Sequence, residues 1–283
     1  GTLPMFTSCC PGWVKFMENE YPDHIDHLSS CKSPQGMHGA LAKTYYAQKL
    51  GIRPQDIVMV SVMPCTAKKY EKTRPQLNKN GYQDVDHVIT TREFGKLCEY
   101  YSLDFKNLKE ENFDNPMGES SGAGDLFGTT GGVMEAALRT SYEKATGETL
   151  GRLEFDQIRG YDGIKEGSIN INGKEIRFAV VHSLLNARKL MEKVENSTSP
   201  YHFIEVMACP GGCIGGGGQP RITSVKVIEK RIHGLQDLDK TKKIRRSHDN
   251  PSIIKLYDEY LKEPGSEISH HLLHTKFTKR NRL

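Results

Sequence analysis

Long apolar runs are largely missing from this 283-residue sequence. The longest, Ile57 to Met63, is broken by Ser61. It falls far short of the roughly 20 residues that a membrane-crossing helix needs, so no membrane contact is expected. Charge of one sign is missing as well. Lys and Arg total 39 and Asp and Glu 35, a balance of +4 that is too mild to call for nucleic acid as a partner. No basic-then-apolar leader opens the chain, which points to the cytoplasm rather than to secretion. Close C-x-x-C pairs, the usual mark of a structural zinc site, are not found. Nor are repeats or low-complexity segments. The first residue is Gly and not Met, so a processed or truncated start is expected.

What is present is a chain about twice the usual domain length, which predicts one large domain or two lobes. Its 36% apolar and 26% charged residues are those of a globular protein. Seven cysteines stand at positions 9, 10, 31, 65, 98, 209 and 213. Their odd number in a long chain argues against a disulfide framework. Three readings remain for them: buried small hydrophobes, metal ligands or reactive thiols.

Local pattern predicts alternating strands and helices, hence an α/β fold. Trp13, Phe16 and Met17 share one face of a helix over 12–20. A second helical run spans Gly39 to Leu50. Ile57–Met63 reads as a strand buried on both faces, as in a parallel sheet. Val85–Thr90 reads as another strand, with Thr91 capping the helix that follows. Residues 107–128 look like loop, and Gly131-Gly132 opens a helix to about Ala145. Asn172-Gly173 between two β-rich arms signals a type I′ hairpin. Ala187, Leu190, Met191 and Val194 mark a helix, and Phe203–Met207 a strand. Asn250 and Pro251 start a last helix with Ile253, Ile254, Tyr257 and Leu261 on its inner face.

Two of these strands run into cysteine, at Met63-Pro64-Cys65 and at Met207-Ala208-Cys209. Ligands in open α/β sheets sit beyond the carboxyl ends of strands, so these thiols become site candidates. A third segment is Thr7-Ser8-Cys9-Cys10-Pro11-Gly12-Trp13, and the Cys209 segment continues through Pro210, Gly211 and Gly212 to Cys213 and Gly215–Gly218. Four thiolates can hold an iron–sulfur cube. The glycines around Cys213 let backbone approach a bulky group and offer it N–H donors.

These three segments resemble, in order, the signature motifs of the iron-only (FeFe) hydrogenases. Phe127-Gly128-Thr129-Thr130-Gly131-Gly132-Val133-Met134-Glu135-Ala136 and Ser269-His270-His271-Leu272-Leu273-His274 also look like family sequence. The resemblance covers essentially the whole chain. It implies two lobes of mixed, largely parallel sheets flanked by helices, with a metal cluster in the cleft between them. It implies an H-cluster: a 4Fe–4S cube on Cys10, Cys65, Cys209 and Cys213, the last also bridging to a diiron unit that carries CO, cyanide and a bridging dithiolate. Lys68 matches the lysine that hydrogen-bonds a cyanide, a suitable anionic partner for a buried ammonium. Ser33 and Gln35 match positions at the other end of the unit. Met63, Phe127, Val133 and Met207 match the apolar wall around it. Cys9 resembles the proton-relaying thiol, for which a pKa near about 8.5 would be suitable, and Ser29 matches a serine further out on that path. Adjacent residues do not easily ligate one cube together, so Cys9 and Cys10 divide into relay and ligand. Cys31 and Cys98 match no ligand and are expected to pack.

The implied activity is the reversible conversion of two protons and two electrons to hydrogen, part of an anaerobic hydrogen metabolism. Residues 1–283 would form the catalytic domain without its N-terminal part and without accessory ferredoxin-like domains, because the first motif lies so near the start. A separate chain could then supply what is missing, including outer carboxylates of the proton path. Electrons would come from ferredoxin or a similar carrier, and maturation proteins would build the diiron unit. Two basic runs, Lys242, Lys243, Arg245 and Arg246, and Lys276, Lys279, Arg280 and Arg282, could steer an acidic carrier. A non-catalytic relative, a hydrogen or redox sensor or an iron–sulfur assembly factor, is the alternative. Such relatives often lack the first cysteine of the Cys-Cys-Pro segment, which this chain has. A structural zinc protein is a further alternative.

Overall fold

Two sheets form, and their carboxyl ends point at one region. The computed structural model describes residues 2–78, 80–221 and 224–280. In the larger sheet the strand order is β1-β6-β5-β4, with β1 Met5–Phe6, β4 Ile164–Ile171, β5 Lys174–His182 and β6 Phe203–Met207. β6 runs parallel to both β1 and β5, while β4 is antiparallel to β5. The β4–β5 turn is the predicted hairpin: Asn172 and Gly173 have φ of 51° and 79°, the two positive values a type I′ turn requires.

Helices cover both faces of this sheet. Ala179, Val181, Ile204 and Val206 pack on one side against α1 (Pro11–Glu20), through Trp13, Val14 and Met17, and against α7 (Leu184–Glu195), through Ala187, Leu190, Met191 and Val194. Phe178 and Val180 pack on the other against Met134 and Leu138 of α6 (Gly132–Thr146). Strands apolar on both faces are what such a three-layer arrangement demands.

The second sheet has two parallel strands, β2 Val60–Met63 and β3 His87–Thr90. Here one expectation fails. Val58, Val60 and Val62 are 65%, 49% and 48% exposed, while Ser61 between them is buried. A sheet this small is covered on one face, and the alternation of side chains turns the valines outward. The cap of α4 (Thr91–Tyr100) is Thr90, not Thr91. Its Oγ1 accepts from the Glu93 N–H at 3.2 Å while a Glu93 carboxylate oxygen accepts from the Thr90 N–H at 2.7 Å. That reciprocal pair requires the Thr three residues before the Glu.

The helical run around Gly39–Leu50 starts earlier, as α2 (Pro34–Leu41) capped by Ser33, and continues through a π-helical stretch Ala42–Tyr46 to Ala47–Leu50. Between Cys65 and Arg74 lies the short helix α3 (Ala67–Glu71). The 107–128 loop ends in a helix, α5 (Gly122–Leu126), held against a long helix α8 (Val225–Thr241). Asn250 does cap α9 (Pro251–Leu256), but the next turn, Tyr257–Leu261, is π-helical. Leu261 is buried as expected, together with Leu256, whereas Ile253 and Ile254 are 39% and 47% exposed. Nor is α9 last, since α10 (Glu267–Leu273) follows. Among the described residues no helix is long and apolar enough to cross a membrane.

The basic runs are mostly engaged within the chain. Arg245 pairs with Asp239 and Glu154, Arg246 with Glu143 and Asp249, and Lys242 with Asp125. Lys279 pairs with Asp23 and Arg280 with Glu18; Arg282 lies outside the described residues. Within the described residues, these ion pairs leave less free positive charge for steering a carrier than the sequence alone suggests.

Glu18, fully buried on α1, clamps three segments. It accepts from the guanidinium of Arg74 beyond α3, from Arg280 Nε at 3.1 Å and from the Thr278 backbone N–H at 2.9 Å. Burial pushes its carboxyl up, but these donors outweigh burial and hold it below the usual carboxylate range. A depressed value means a contribution fully present above the ordinary Glu pKa of about 4.3 and lost as pH falls through the folded-state value. Glu18→Gln strands the buried Arg74 charge and should cost about 3–5 kcal/mol at pH 7. In urea unfolding, that gap between the two proteins should close as the pH falls below about 4; a gap constant down to pH 3 would show that the carboxylate charge is not its source.

Candidate metal centre

The three cysteine segments meet where the carboxyl ends of β1 and β6 approach that of β2. Thr7 after β1 stays tied to β6: its N–H donates to Ile204 O at 3.0 Å and its Oγ1 accepts from Val206 N–H at 3.1 Å. This pairing brings Cys10 beside Ala208, whose N–H donates to Cys10 Sγ at 3.4 Å. The Cys65 loop is joined to the Cys213 loop by the Gly218 N–H, which donates to Pro64 O at 2.9 Å. On its other side the Cys213 loop is joined to the 128–130 segment, through Thr130 N–H to Gly211 O and Ile214 N–H to Gly128 O. Contact is close enough to require glycine. A Cβ on Gly216 would lie 2.1 Å from Pro64 O, and one on Gly212, where φ is 99°, would lie 2.7 Å from Thr130 N.

Between these loops is a cavity of about 220 Å³ walled by Cys9, Cys10, Gln35, Met63, Cys65, Lys68, Phe127, Val133, Met207 and Cys213. Ten of the residues singled out in the sequence therefore share one enclosure. Three do not line it. Cys209 lies just behind, near enough for its thiol to feel Cys10 and Cys65. Ser33 caps α2, accepting from Gly36 N–H at 3.3 Å, and donates to Glu71 at 2.9 Å. Ser29 is half-buried and accepts from the Cys31 N–H at 3.3 Å. Cys31 borders a separate small pocket beside Ser8 and Arg74, and Cys98 sits on α4.

The donor set fits a bulky cluster and not a single ion. Among the described residues no three of His, Cys, Asp or Glu converge closely on one point. The thiols instead surround a space, with thioether and aromatic side chains forming the rest of its wall. Burial pushes the thiols of Cys65, Cys209 and Cys213 up, Cys209 to about 11, and neighbouring cysteines add to the rise. They are therefore neutral, and a metal bound there would have to displace their protons. Burial, then Cys10, pushes Cys9 to about 12 against the pull of Lys68. That is above the value of about 8.5 that would suit a proton relay.

Two carboxylates that the sequence reading missed organise the cavity. Lys68 Nζ donates to Glu71 at 2.8 Å and to the Cys9 carbonyl at 3.1 Å. Burial would lower the ammonium's pKa, but Glu71 outweighs it and the net shift is upward. The anionic partner that a buried ammonium needs is thus already in the protein. Glu205 is fully buried on β6 and accepts from the N–H groups of Gly131 and Met134 at 2.6 and 2.7 Å. It pins the Cys209 strand to the start of α6, where a carboxylate is favoured. An acid inside the apolar run Phe203–Met207 was the signal for Glu205. Glu71, on a polar helix, offered none.

The chain belongs to the iron-only hydrogenase family. The family model described as the C-terminal domain of the iron only hydrogenase large subunit matches residues 1–217, and that of the iron hydrogenase small subunit matches 225–280. The chain is 54% identical over 282 residues to the NADP-reducing hydrogenase subunit HndD of Solidesulfovibrio fructosivorans, covering 99% of this chain and 48% of that protein. It is 31% identical to the cytosolic Fe-S cluster assembly factor narfl of Danio rerio, covering 97% of this chain and 68% of that one. A FeFe-hydrogenase structure that follows stepwise H-cluster assembly superposes with a TM-score of 0.85 at 47% identity, covering 98% of this chain and 76% of that chain. The chain spans about half the length of HndD and of the iron hydrogenase 1 of Clostridium pasteurianum. The α/β architecture is that of these hydrogenases, and H-cluster domains of the family carry a 4Fe–4S cluster with a diiron subcluster.

The close loop contacts generate a test. Gly216→Ala must push the Cys213 loop away from Pro64. Iron affinity after anaerobic reconstitution should fall by roughly 10- to 100-fold, the range for lost supports around a metal's ligands. The same change at Gly234, where a Cβ meets open space, should leave iron content unaltered. Equal iron content in both variants would separate the loop contact from cluster binding.

Proposed function

We propose that the chain holds an H-cluster on Cys10, Cys65, Cys209 and Cys213, with Cys213 also tethering the diiron unit, and interconverts two protons and two electrons with hydrogen. The observation that carries this reading is one cavity wall shared by Cys213, an additional thiol, Cys9, and a buried ammonium, Lys68. The H-cluster, when bound, supplies the redox-active iron at which hydrogen is made or split. The chain's own residues do the rest. Met63, Phe127, Val133 and Met207 keep water from the reacting centre. Lys68 and Gln35 offer polar contacts to the diiron unit, with Ser33 behind them at Glu71.

Cys9 holds the relayed proton at Sγ. A buried, neutral thiol is a donor that must be reprotonated from outside after each transfer, and Ser29 is the proposed next station. Residues 1–283 act in this reading as the H-cluster domain. Electrons reach the cube from an external carrier of the ferredoxin type, and maturation proteins deliver the diiron unit. The relationship to an assembly factor supports a second reading, in which the chain carries iron–sulfur clusters without turning over hydrogen.

An infrared spectrum of protein produced with the maturation machinery decides between cluster types. CO and cyanide stretches are expected, and a spectrum without them would sink the H-cluster reading. Cys9→Ala then separates enzyme from scaffold. Iron content and those bands should persist, because no proposed ligand is touched. Hydrogen evolution in a dye-linked assay should fall by roughly 10²–10⁴-fold, the usual contribution of a proton-transfer group. Full activity in Cys9→Ala would place the relay elsewhere; loss of the cube would make Cys9 a ligand.

A further inference from the structure

One carboxylate oxygen gathers three of the residues assigned to the diiron pocket. Glu71 Oε2 accepts from Lys68 Nζ at 2.8 Å, from Ser33 Oγ at 2.9 Å and from Gln35 Nε2 at 3.2 Å. Two elements supply all four side chains. Ser33 and Gln35 stand at the start of α2, and Lys68 and Glu71 lie three residues apart on α3. None of the four residues is more than 7% exposed. With so little water present, each donor must find a protein acceptor, and a single charged oxygen serves all three.

We infer that Glu71 is the positioning residue of this pocket: it sets the direction in which Lys68 and Gln35 present their remaining hydrogen-bonding capacity to the diiron unit. The inference rests on the reading above that the cavity takes an H-cluster. An ammonium has three N–H donors. Glu71 takes one and the Cys9 carbonyl another, which leaves one for the cavity that Lys68 lines. A carboxylate only accepts, so it holds the N–H₂ end of the Gln35 amide toward itself. The amide oxygen is turned away, and Gln35 Oε1 is buried without a partner in the protein. Ser33 is bound to Glu71 while it caps α2, so the same carboxylate fixes the start of that helix against α3. The ammonium and the carboxylate also cancel in charge. The pocket is therefore arranged and neutral before any anionic ligand enters it.

Three proteins test this: the unmutated chain, Glu71→Gln and Glu71→Ala. Each is first reconstituted with the cube and then loaded with a synthetic diiron complex carrying CO, cyanide and a bridging dithiolate. Cube content, read from iron and visible absorbance, should be equal in all three, since the thiols are untouched. Glu71→Ala should retain the diiron unit at roughly a tenth of the unmutated level or less, as for lost outer supports of a metal site. Glu71→Gln keeps an acceptor of the same shape and should restore retention, with the cyanide band shifted because Lys68 is no longer charge-balanced. A crystal structure of cube-only Glu71→Ala should show Lys68 and Gln35 displaced. Wild-type bands and retention in Glu71→Ala, with strong bands in the unmutated chain, would overturn the role of Glu71 and leave the H-cluster reading standing. So would undisplaced side chains in that crystal structure. Loss of the cube from Glu71→Ala would make Glu71 a folding residue instead. No bands even in the unmutated chain would overturn the H-cluster reading, and this inference with it.

Discussion

Three buried, hydrogen-bonded glutamates hold the cysteine loops in register. Glu18 sits on the helix that follows Cys10, Glu71 on the helix that follows Cys65, and Glu205 on the strand that leads to Cys209. Each reaches out of its own element: to Arg74 and the C-terminal stretch, to the start of α2, and to the start of α6. Removing one partner of such a group strands the other in a dry site, at a cost well above what the pair gains over an apolar substitute. Their effect is therefore less to add stability than to penalise any other arrangement of the loops. The loops need this support. They are rich in glycine, and they carry thiols that repel one another once ionised.

The same low-dielectric setting explains why the cysteines are poised and not preformed as thiolates. Burial is the first cause of every upward shift among Cys9, Cys65, Cys209 and Cys213, and the neighbouring cysteines add to it. In the proposed assignment a cluster would bring the positive charge that reverses this, and its binding would release the thiol protons. The pairing of β1 with β6 and the Gly218–Pro64 hydrogen bond bring the donors together through backbone contacts. The protein can thus keep a shaped cavity while the buried thiols of Cys9, Cys65 and Cys213 beside it stay protonated.

Much of this was legible in the residues, for identifiable reasons. Asn172-Gly173 could form only a tight positive-φ turn, and the apolar spacing of Ala187, Leu190, Met191 and Val194 matched the face that packs on the sheet. Strands ending in Pro64-Cys65 and Ala208-Cys209 announced a site at sheet carboxyl ends. Local pattern could not disclose tertiary cover: Ile57–Met63 looks the same whether its sheet has two strands or six, and only the fold shows that Val58, Val60 and Val62 face outward. Nor could it foresee that Leu256 is buried there while Ile253 and Ile254 are exposed, or the π-helical turn at Tyr257–Leu261. Glu18 and Glu71 were invisible for a related reason. An acid on an amphipathic helix reads as solvated until the distant Arg74, Arg280 or Gln35 is seen to close over it.

The adjacency of Cys9 and Cys10 acquires a physical sense from the backbone. Cys10 is extended, with φ −94° and ψ 107°, and successive side chains on extended backbone project to opposite sides. Both thiols nevertheless border the cavity. Cys10 is the one held to the sheet framework, through the Ala208 N–H at its sulfur. Cys9 is held by its carbonyl, to Lys68, and that contact leaves its sulfur uncommitted. In the proposed assignment a ligand thus gains a fixed sulfur, and a relay gains a fixed backbone. The Lys68 that anchors Cys9 is itself set by Glu71, so one buried ion pair positions both the relay and the wall that faces it.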